Sequence, residues 1–166
     1  MVGQAVSQES CYQEAADRFG RALDRLACAY EAHSDLRRDL LQEIHLQLWR
    51  SFAGFDGRCS LRTWVYRVAH NVAAAHVIRQ RRLRSRLVTL EEVEEAAAPP
   101  FDAARAEALE RLSTLIRRLK PLDRQIIVLY LEDLDAAGIA EITGLSPANV
   151  AMKIHRIKKV LKRYAE

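Results

Sequence analysis

No stretch of this chain approaches the roughly 20 apolar residues that a membrane-spanning helix needs, and its first residues lack the basic-then-apolar order of a signal peptide. A cytoplasmic protein without membrane insertion is expected. Cysteine is scarce: Cys11, Cys28 and Cys59 are odd in number, widely spaced and include no CxxC pair, so neither a disulfide framework nor a zinc site is indicated. His45, His70 and His76 stand at no metal-ligand spacing from a carboxylate or cysteine. They read as surface or core histidines, and no metal or cofactor is expected. There is no glycine-rich phosphate loop, no HExxH, no nucleophile elbow and no carboxylate pair of catalytic pattern, so no catalytic residue is assigned. Glycine and proline are also few, 6 and 4 in 166 residues. With Ala, Leu, Arg and Glu abundant, that favours helix nearly everywhere.

What is present is apolar periodicity and clustered charge. Hydrophobic residues make up 49% of the chain, enough to build one ordinary domain or two small ones. Ala16, Phe19, Leu23, Leu26 and Tyr30 repeat at three and four and predict a helix over about 12–30. Ser34 or Asp35 is placed to cap a second helix, with Leu36, Leu40, Ile44 and Leu48 on one stripe and Leu41 and Trp49 beside it. Gly54 and Gly57 mark a turn, and Ser60 can cap a third helix through Leu61, Trp64, Val68 and Val72 to about residue 82. Residues 85–105 turn acidic, then small, then reach Pro99-Pro100, which no helix interior accepts; the domain boundary is placed there. A short helix within 90–97 remains open. Beyond it, Leu109, Leu112, Ile116 and Leu119 form another stripe, and Pro121 suits the first turn of a helix to about residue 131. No strand pattern and no internal repeat appear. The expected fold is all-α, in two small helical lobes joined by a flexible acidic linker: residues 10–84, a linker at 85–105, and residues 106–166.

The net charge is +4, and its distribution is more telling than its total. Five arginines fall at positions 79, 81, 82, 84 and 86, and six Lys/Arg at 153, 156, 158, 159, 162 and 163. Between them lie Glu91, Glu92, Glu94, Glu95 and Asp102. Two basic blocks, each ending an amphipathic helical segment, indicate two places that meet phosphate, against the plain alternative of solvated helix faces. The second block closes a pattern with the order of a helix-turn-helix. Asp135 can cap a helix through Ile139 and Ile142, Gly144 supplies a left-handed turn residue, and Ser146-Pro147 opens the last helix. Val150, Ile154, Ile157 and Leu161 face inward, leaving Ala148, Asn149, Ala151, Met152, Lys153, His155 and Arg156 outside. In such motifs the second helix enters the major groove. Asn149 then suits adenine, Lys153 or Arg156 guanine or phosphate, and Met152 a thymine methyl. Lys158, Lys159, Lys162 and Arg163 suit the backbone.

The first lobe narrows the choice among helix-turn-helix proteins. The run DLLQEIHLQLWR at 39–50 and FDGRCSLRTWVYRVAHN at 55–71 resemble region 2 of extracytoplasmic-function RNA polymerase sigma factors. Residues 134–161, with KIHRIK at 153–158, resemble their region 4. The similarity spans about 15–84 and 107–163. It implies a sigma factor that binds core RNA polymerase and directs promoter recognition, strand opening and transcription initiation. By this resemblance Asp39, Gln42, Glu43, Leu46 and Trp49 meet the clamp coiled coil of the polymerase's largest subunit, with Leu46 and Trp49 leaning on the lobe's own core. The second lobe meets the flap. Arg58, Arg62, Trp64, Arg67, Asn71 and Arg79 face the minus-ten element, where Trp64 and Tyr66 are candidates to stack on bases, although Trp64, sharing the Leu61/Val68 face, reads rather as a core anchor. Ser146, Ala148, Asn149, Met152, Lys153, Arg156 and Lys159 face the minus-thirty-five element. The linker resembles the family's connector, either a nucleic-acid mimic or a plain spacer. Promoter DNA is implied as a partner, with an anti-sigma factor or a protein kinase as candidate regulators.

Two departures qualify the resemblance. The family's polymerase-binding helix opens on an acidic DAED-like run, whereas here Leu36-Arg37-Arg38 precedes Asp39. Two arginines facing a basic partner weaken docking by like-charge repulsion. Either the cognate polymerase surface compensates, or docking is conditional on added negative charge, such as phosphorylation of Ser34, Ser51 or Thr63. Ala151, Met152 and the Asp135-Ala-Ala-Gly138 run also depart from relatives, so a minus-thirty-five preference does not transfer. The alternatives are a helix-turn-helix transcriptional regulator that acts without being a polymerase subunit, and a protein–protein adaptor whose DNA contacts are incidental. No long C-terminal extension is present, and no added sensing domain is expected.

Overall fold

The computed structural model describes residues 7–86 and 103–165. Among them are seven α-helices, one 3-10 turn and no strand, in agreement with the expected all-α class. The N-terminal lobe consists of α1 (Gln8–Tyr30), α2 (Ser34–Ser51), the 3-10 turn Phe52–Gly54 and α3 (Leu61–Arg86). The C-terminal lobe consists of α4 (Ala103–Arg117), α5 (Pro121–Leu131), α6 (Ala136–Thr143) and α7 (Pro147–Ala165). Both ends of the 85–105 segment are therefore helical. The rest of it, including the candidate helix at 90–97 and the Pro99-Pro100 boundary, lies outside the described residues.

Local chemistry accounts for most of the helix limits. The Ser7 hydroxyl accepts the Ser10 N–H at 3.1 Å and starts α1 four residues before the apolar stripe suggests. The cap expected at Ser34 or Asp35 is not made. Residue 33 holds the N-cap position without a side-chain bond, and Ser34 and Asp35 sit in the first turn. Buried Glu31 takes over the connection: its carboxylate accepts the His33 N–H at 2.9 Å and meets the His76 ring at 2.8 Å. Burial alone would raise the Glu31 carboxyl; these two partners outweigh it and hold the group below its ordinary range.

The core of the N-terminal lobe is built from Leu23 and Leu26 of α1, Leu40, Ile44 and Leu48 of α2, and Val65, Tyr66, Ala69 and Ala73 of α3. The last set corrects the predicted α3 stripe. Leu61, Trp64, Val68 and Val72 are only partly buried at its edge, because α3 carries apolar residues on two neighbouring faces and the 65/69/73 face points inward. Ile116, Ile126, Ile127, Leu129, Ile139, Val150 and Ile157 close the C-terminal lobe. The two lobes touch: α4 and α5 pack on α1, and α6 packs on α3.

One core contact carries a pH signature. His70 is buried, with Nδ1 2.8 Å from the Tyr30 hydroxyl and Nε2 without a hydrogen-bond partner. Burial pulls its pKa from 6.5 to about 3. Between these values the unfolded chain binds the extra proton, so stability is lost as pH falls through that window, at up to about 1.4 kcal/mol per pH unit. Urea midpoints measured from about pH 7 down to pH 4.5 should fall in the wild type. They should fall less steeply in His70→Asn, and equal slopes would contradict a neutral buried ring.

Candidate nucleic-acid interface

The helix-turn-helix forms as its local signals predict. The Asp135 carboxylate accepts the Gly138 N–H at 2.8 Å, and a Cβ on Gly138 would sit 3.1 Å from that same oxygen. The unusual glycine thus leaves room for the cap. Gly144 adopts φ +78 and returns its N–H to the Ala140 carbonyl, ending α6 in the left-handed conformation that glycine tolerates best. The Ser146 hydroxyl faces the Asn149 N–H at 3.3 Å, and Pro147 is the first residue of α7.

Val150 and Ile157 seal the inner face of α7. Ser146, Ala148, Asn149, Met152, Arg156 and Lys159 are exposed together on the outer face. Lys153 is the exception. It is half-buried and its ammonium lies 2.9 Å from the Asp123 carboxylate of α5, an ion pair linking residues 30 apart. Lys158 lies over the Tyr130 ring, 5.2 Å from its centroid.

In the N-terminal lobe the candidate residues occupy two surfaces. On α2, Asp39, Gln42, Leu46 and Trp49 are exposed and Glu43 is half-buried beside Gln47. Leu46 and Trp49 do not lean on the core as expected; they are 42% and 38% exposed, because α2 buries the Leu40/Ile44/Leu48 stripe and leaves them on its outer flank. Tyr12 of α1 props this flank, packing edge-on against Trp49 at 5.5 Å and bonding its hydroxyl to His45 at 3.1 Å. Burial lowers the His45 pKa.

On the other surface, Arg58 is exposed beside Asp56, and Asn71 and Arg79 face solvent. Trp64 is partly buried, its ring 5.2 Å from Phe55 and its indole N–H donated to Ser51 at 2.9 Å. Tyr66, 2% exposed, belongs to the core and offers no face to a base, which corrects its candidacy for stacking. Arg62 and Arg67 are engaged by the other lobe, on the carbonyls of Glu132 and Glu141 respectively. That engagement escaped the sequence, as did Arg25, whose guanidinium meets both Glu132 carboxylate oxygens at 2.6 Å. Also unforeseen is Arg124, a buried guanidinium 5.2 Å from the Tyr30 ring centroid, whose pKa burial lowers. These pairs lie tens of residues apart, beyond any local signal.

Comparison with known proteins finds two family matches along the chain. Residues 15–83 match the family described as Sigma-70 region 2, and residues 109–161 match Sigma-70, region 4. The chain is 25% identical over 135 residues to the ECF RNA polymerase sigma factor SigX of Bacillus subtilis, covering 77% of this chain and 70% of SigX. It is 26% identical over 137 residues to the RNA polymerase sigma factor YlaC of the same organism, covering 79% and 78%. Its fold is similar to that of CnrH solved in complex with the cytosolic domain of CnrY, with TM-score 0.71, 21% identity and coverage of 98% and 92%. It is likewise similar to the sigma factor RpoE solved with the anti-sigma factor NepR from Bartonella quintana, with TM-score 0.71, 19% identity and coverage of 92% and 94%.

The α7 surface makes a differential prediction. Lys159→Ala should reduce the salt slope of duplex DNA binding by about one unit, read by anisotropy of a labelled mixed-sequence duplex against potassium concentration. Lys153→Ala should change it less, since Asp123 already neutralises that ammonium. Equal effects would contradict the pairing.

Proposed function

The chain belongs to the sigma-70 family as an extracytoplasmic-function sigma factor, and from this premise we propose how its surfaces divide the work of starting transcription. A sigma factor is not an enzyme but an initiation factor that brings RNA polymerase to promoters, and no helix among the described residues is long and apolar enough to cross a membrane. The observation that carries the residue-level reading is the sidedness of α7, whose apolar face is sealed while six candidate base- and phosphate-facing residues stay open to solvent.

In this reading Asn149, Met152 and Arg156 read the minus-thirty-five element in the major groove, with Ser146, Ala148, Lys153 and Lys159 fixing the register. Arg58, Arg62, Trp64, Arg67, Asn71 and Arg79 hold the minus-ten strand, the arginines on phosphates and the edge of Trp64 beside an unstacked base. The α2 flank of Asp39, Gln42, Glu43, Leu46 and Trp49 docks on the clamp coiled coil of the largest polymerase subunit. Two exposed apolar side chains inside a polar rim suit helix-on-helix recognition. The C-terminal lobe meets the flap. RpoE of Bartonella quintana is solved with an anti-sigma factor, and we extend a partner of that kind to this chain.

Docking is conditional on added negative charge near α2. Arg37 is half-buried and Arg38 exposed on a face that meets a basic partner. Of the three candidate acceptors, Thr63 is 4% exposed and Ser51 is half-buried. Ser34 is exposed at the first residue of α2. A phosphate there would lie at the positive end of the helix dipole, three and four residues from Arg37 and Arg38, and a protein kinase would be its source.

Run-off transcription with core polymerase and a promoter library tests the reading. Specific transcripts should require the protein and should be absent with core alone. Ser34→Glu should raise transcript yield several-fold over the unmodified chain, and Arg37→Glu with Arg38→Glu should do so without Ser34. Full yield from unmodified protein would sink the charge condition while leaving the sigma assignment intact.

A further inference from the structure

Residues ahead of the Sigma-70 region 2 match, which begins at position 15, support the exposed end of α2. The Ser7 hydroxyl caps α1 and so adds a turn in front of the apolar stripe. That turn carries Gln8, and Tyr12 lies one turn further on. Both reach across to the last turns of α2. Gln8 Nε2 donates to the Trp49 carbonyl at 2.7 Å, near the α2 terminus at Ser51, where helix carbonyls lack intrahelical donors. The Tyr12 ring stands nearly perpendicular to the Trp49 ring, at 86° with 5.5 Å between centroids. The Tyr12 hydroxyl pairs with His45 Nδ1 at 3.1 Å, one turn earlier on α2, so the supporting ring is itself fixed.

An exposed tryptophan that is free to rotate must be immobilised by its partner, at a cost in affinity. An edge-on aromatic neighbour holds the ring beforehand and lowers that cost. Tryptophan is also among the residue types that most often dominate a protein interface. We infer that Tyr12 is a positioning residue for polymerase docking: its ring, tethered to His45, holds Trp49 in the orientation the polymerase meets, and it acts through Trp49 rather than by touching the partner. Tyr12 is itself partly buried against the core, which suits support more than contact. The inference rests on the assignment of the α2 flank to the polymerase.

The test uses the full-length chain and core RNA polymerase. Unlabelled variants compete with fluorescein-labelled wild type for the polymerase, and urea midpoints report whether each variant is folded. Tyr12→Ala should weaken binding about fivefold, within the range an aromatic pair supports. Tyr12→Phe keeps the ring and should stay within about twofold of wild type. Should Tyr12→Ala fail to fold, Tyr12→Leu replaces it and should show the same loss. On a Trp49→Ala chain the Tyr12 substitution should cost nothing further, because one side chain acts through the other. Fluorine NMR of fluorotryptophan-labelled protein reads the two tryptophans directly. Tyr12→Ala should move the Trp49 signal toward that of free tryptophan and leave the Trp64 signal in place. Equal losses with and without Trp49 would overturn the inference, as would lost affinity with an unmoved Trp49 signal. If Trp49→Ala weakens binding and Tyr12→Ala does not, the positioning role alone is lost and the docking flank stands. If Trp49→Ala leaves binding unaltered, the assignment of the flank has fallen, and the inference with it.

Discussion

The arrangement of the two lobes depends on arginines that finish helices they do not belong to. A helix end with unpaired carbonyls is incomplete unless water, a turn or a cation satisfies it. Here α1, α5 and α6 lack basic residues in their last turns, and Arg117, Arg62 and Arg67 arrive from across the seam. Each of these three bonds is polar and at least partly open to solvent, while Arg124 over Tyr30 adds a buried contact to the same seam.

The same constraint links structure to function. In the proposed function the N-terminal lobe would offer basic side chains to one strand and the C-terminal lobe would offer α7 to a duplex. Arg62 and Arg67 belong to both the seam and the candidate strand surface, whereas the outer face of α7 and the α2 flank around Leu46 and Trp49 are exposed in the closed arrangement. The α2 helix packs on α1, α3 and the 3-10 turn. Its outer flank is therefore accessible with the lobes together, and under the proposed function polymerase docking there would be separable from strand capture.

How much of this the sequence disclosed follows from distance along the chain. Asp135, Gly144 and Ser146-Pro147 were legible because each acts within a few residues of itself, and the helix-turn-helix emerged in register. The region 2 resemblance is legible as a motif, but the expected lean of Leu46 and Trp49 on the core is not met, since their exposure depends on which α2 stripe the other helices bury. Tyr66 was misread for a similar reason. Helix α3 is apolar on two adjacent faces, and only packing decides that Val65, Tyr66 and Ala69 go inward while Trp64 stays at the edge. The Lys153–Asp123 pair and the Arg62–Glu132 bond join residues 30 and 70 apart. No periodicity or cap rule reaches that far, so the lobe seam had no signature in the sequence.

The most direct test of the account is the distance between the lobes, measured by single-molecule energy transfer with one label on α2 and one on α7, first in the free chain and then in complex with core polymerase. A single short distance in the free chain that lengthens when polymerase binds is the predicted result. A distance already long in the free chain, or one that stays short in the polymerase complex, would contradict it.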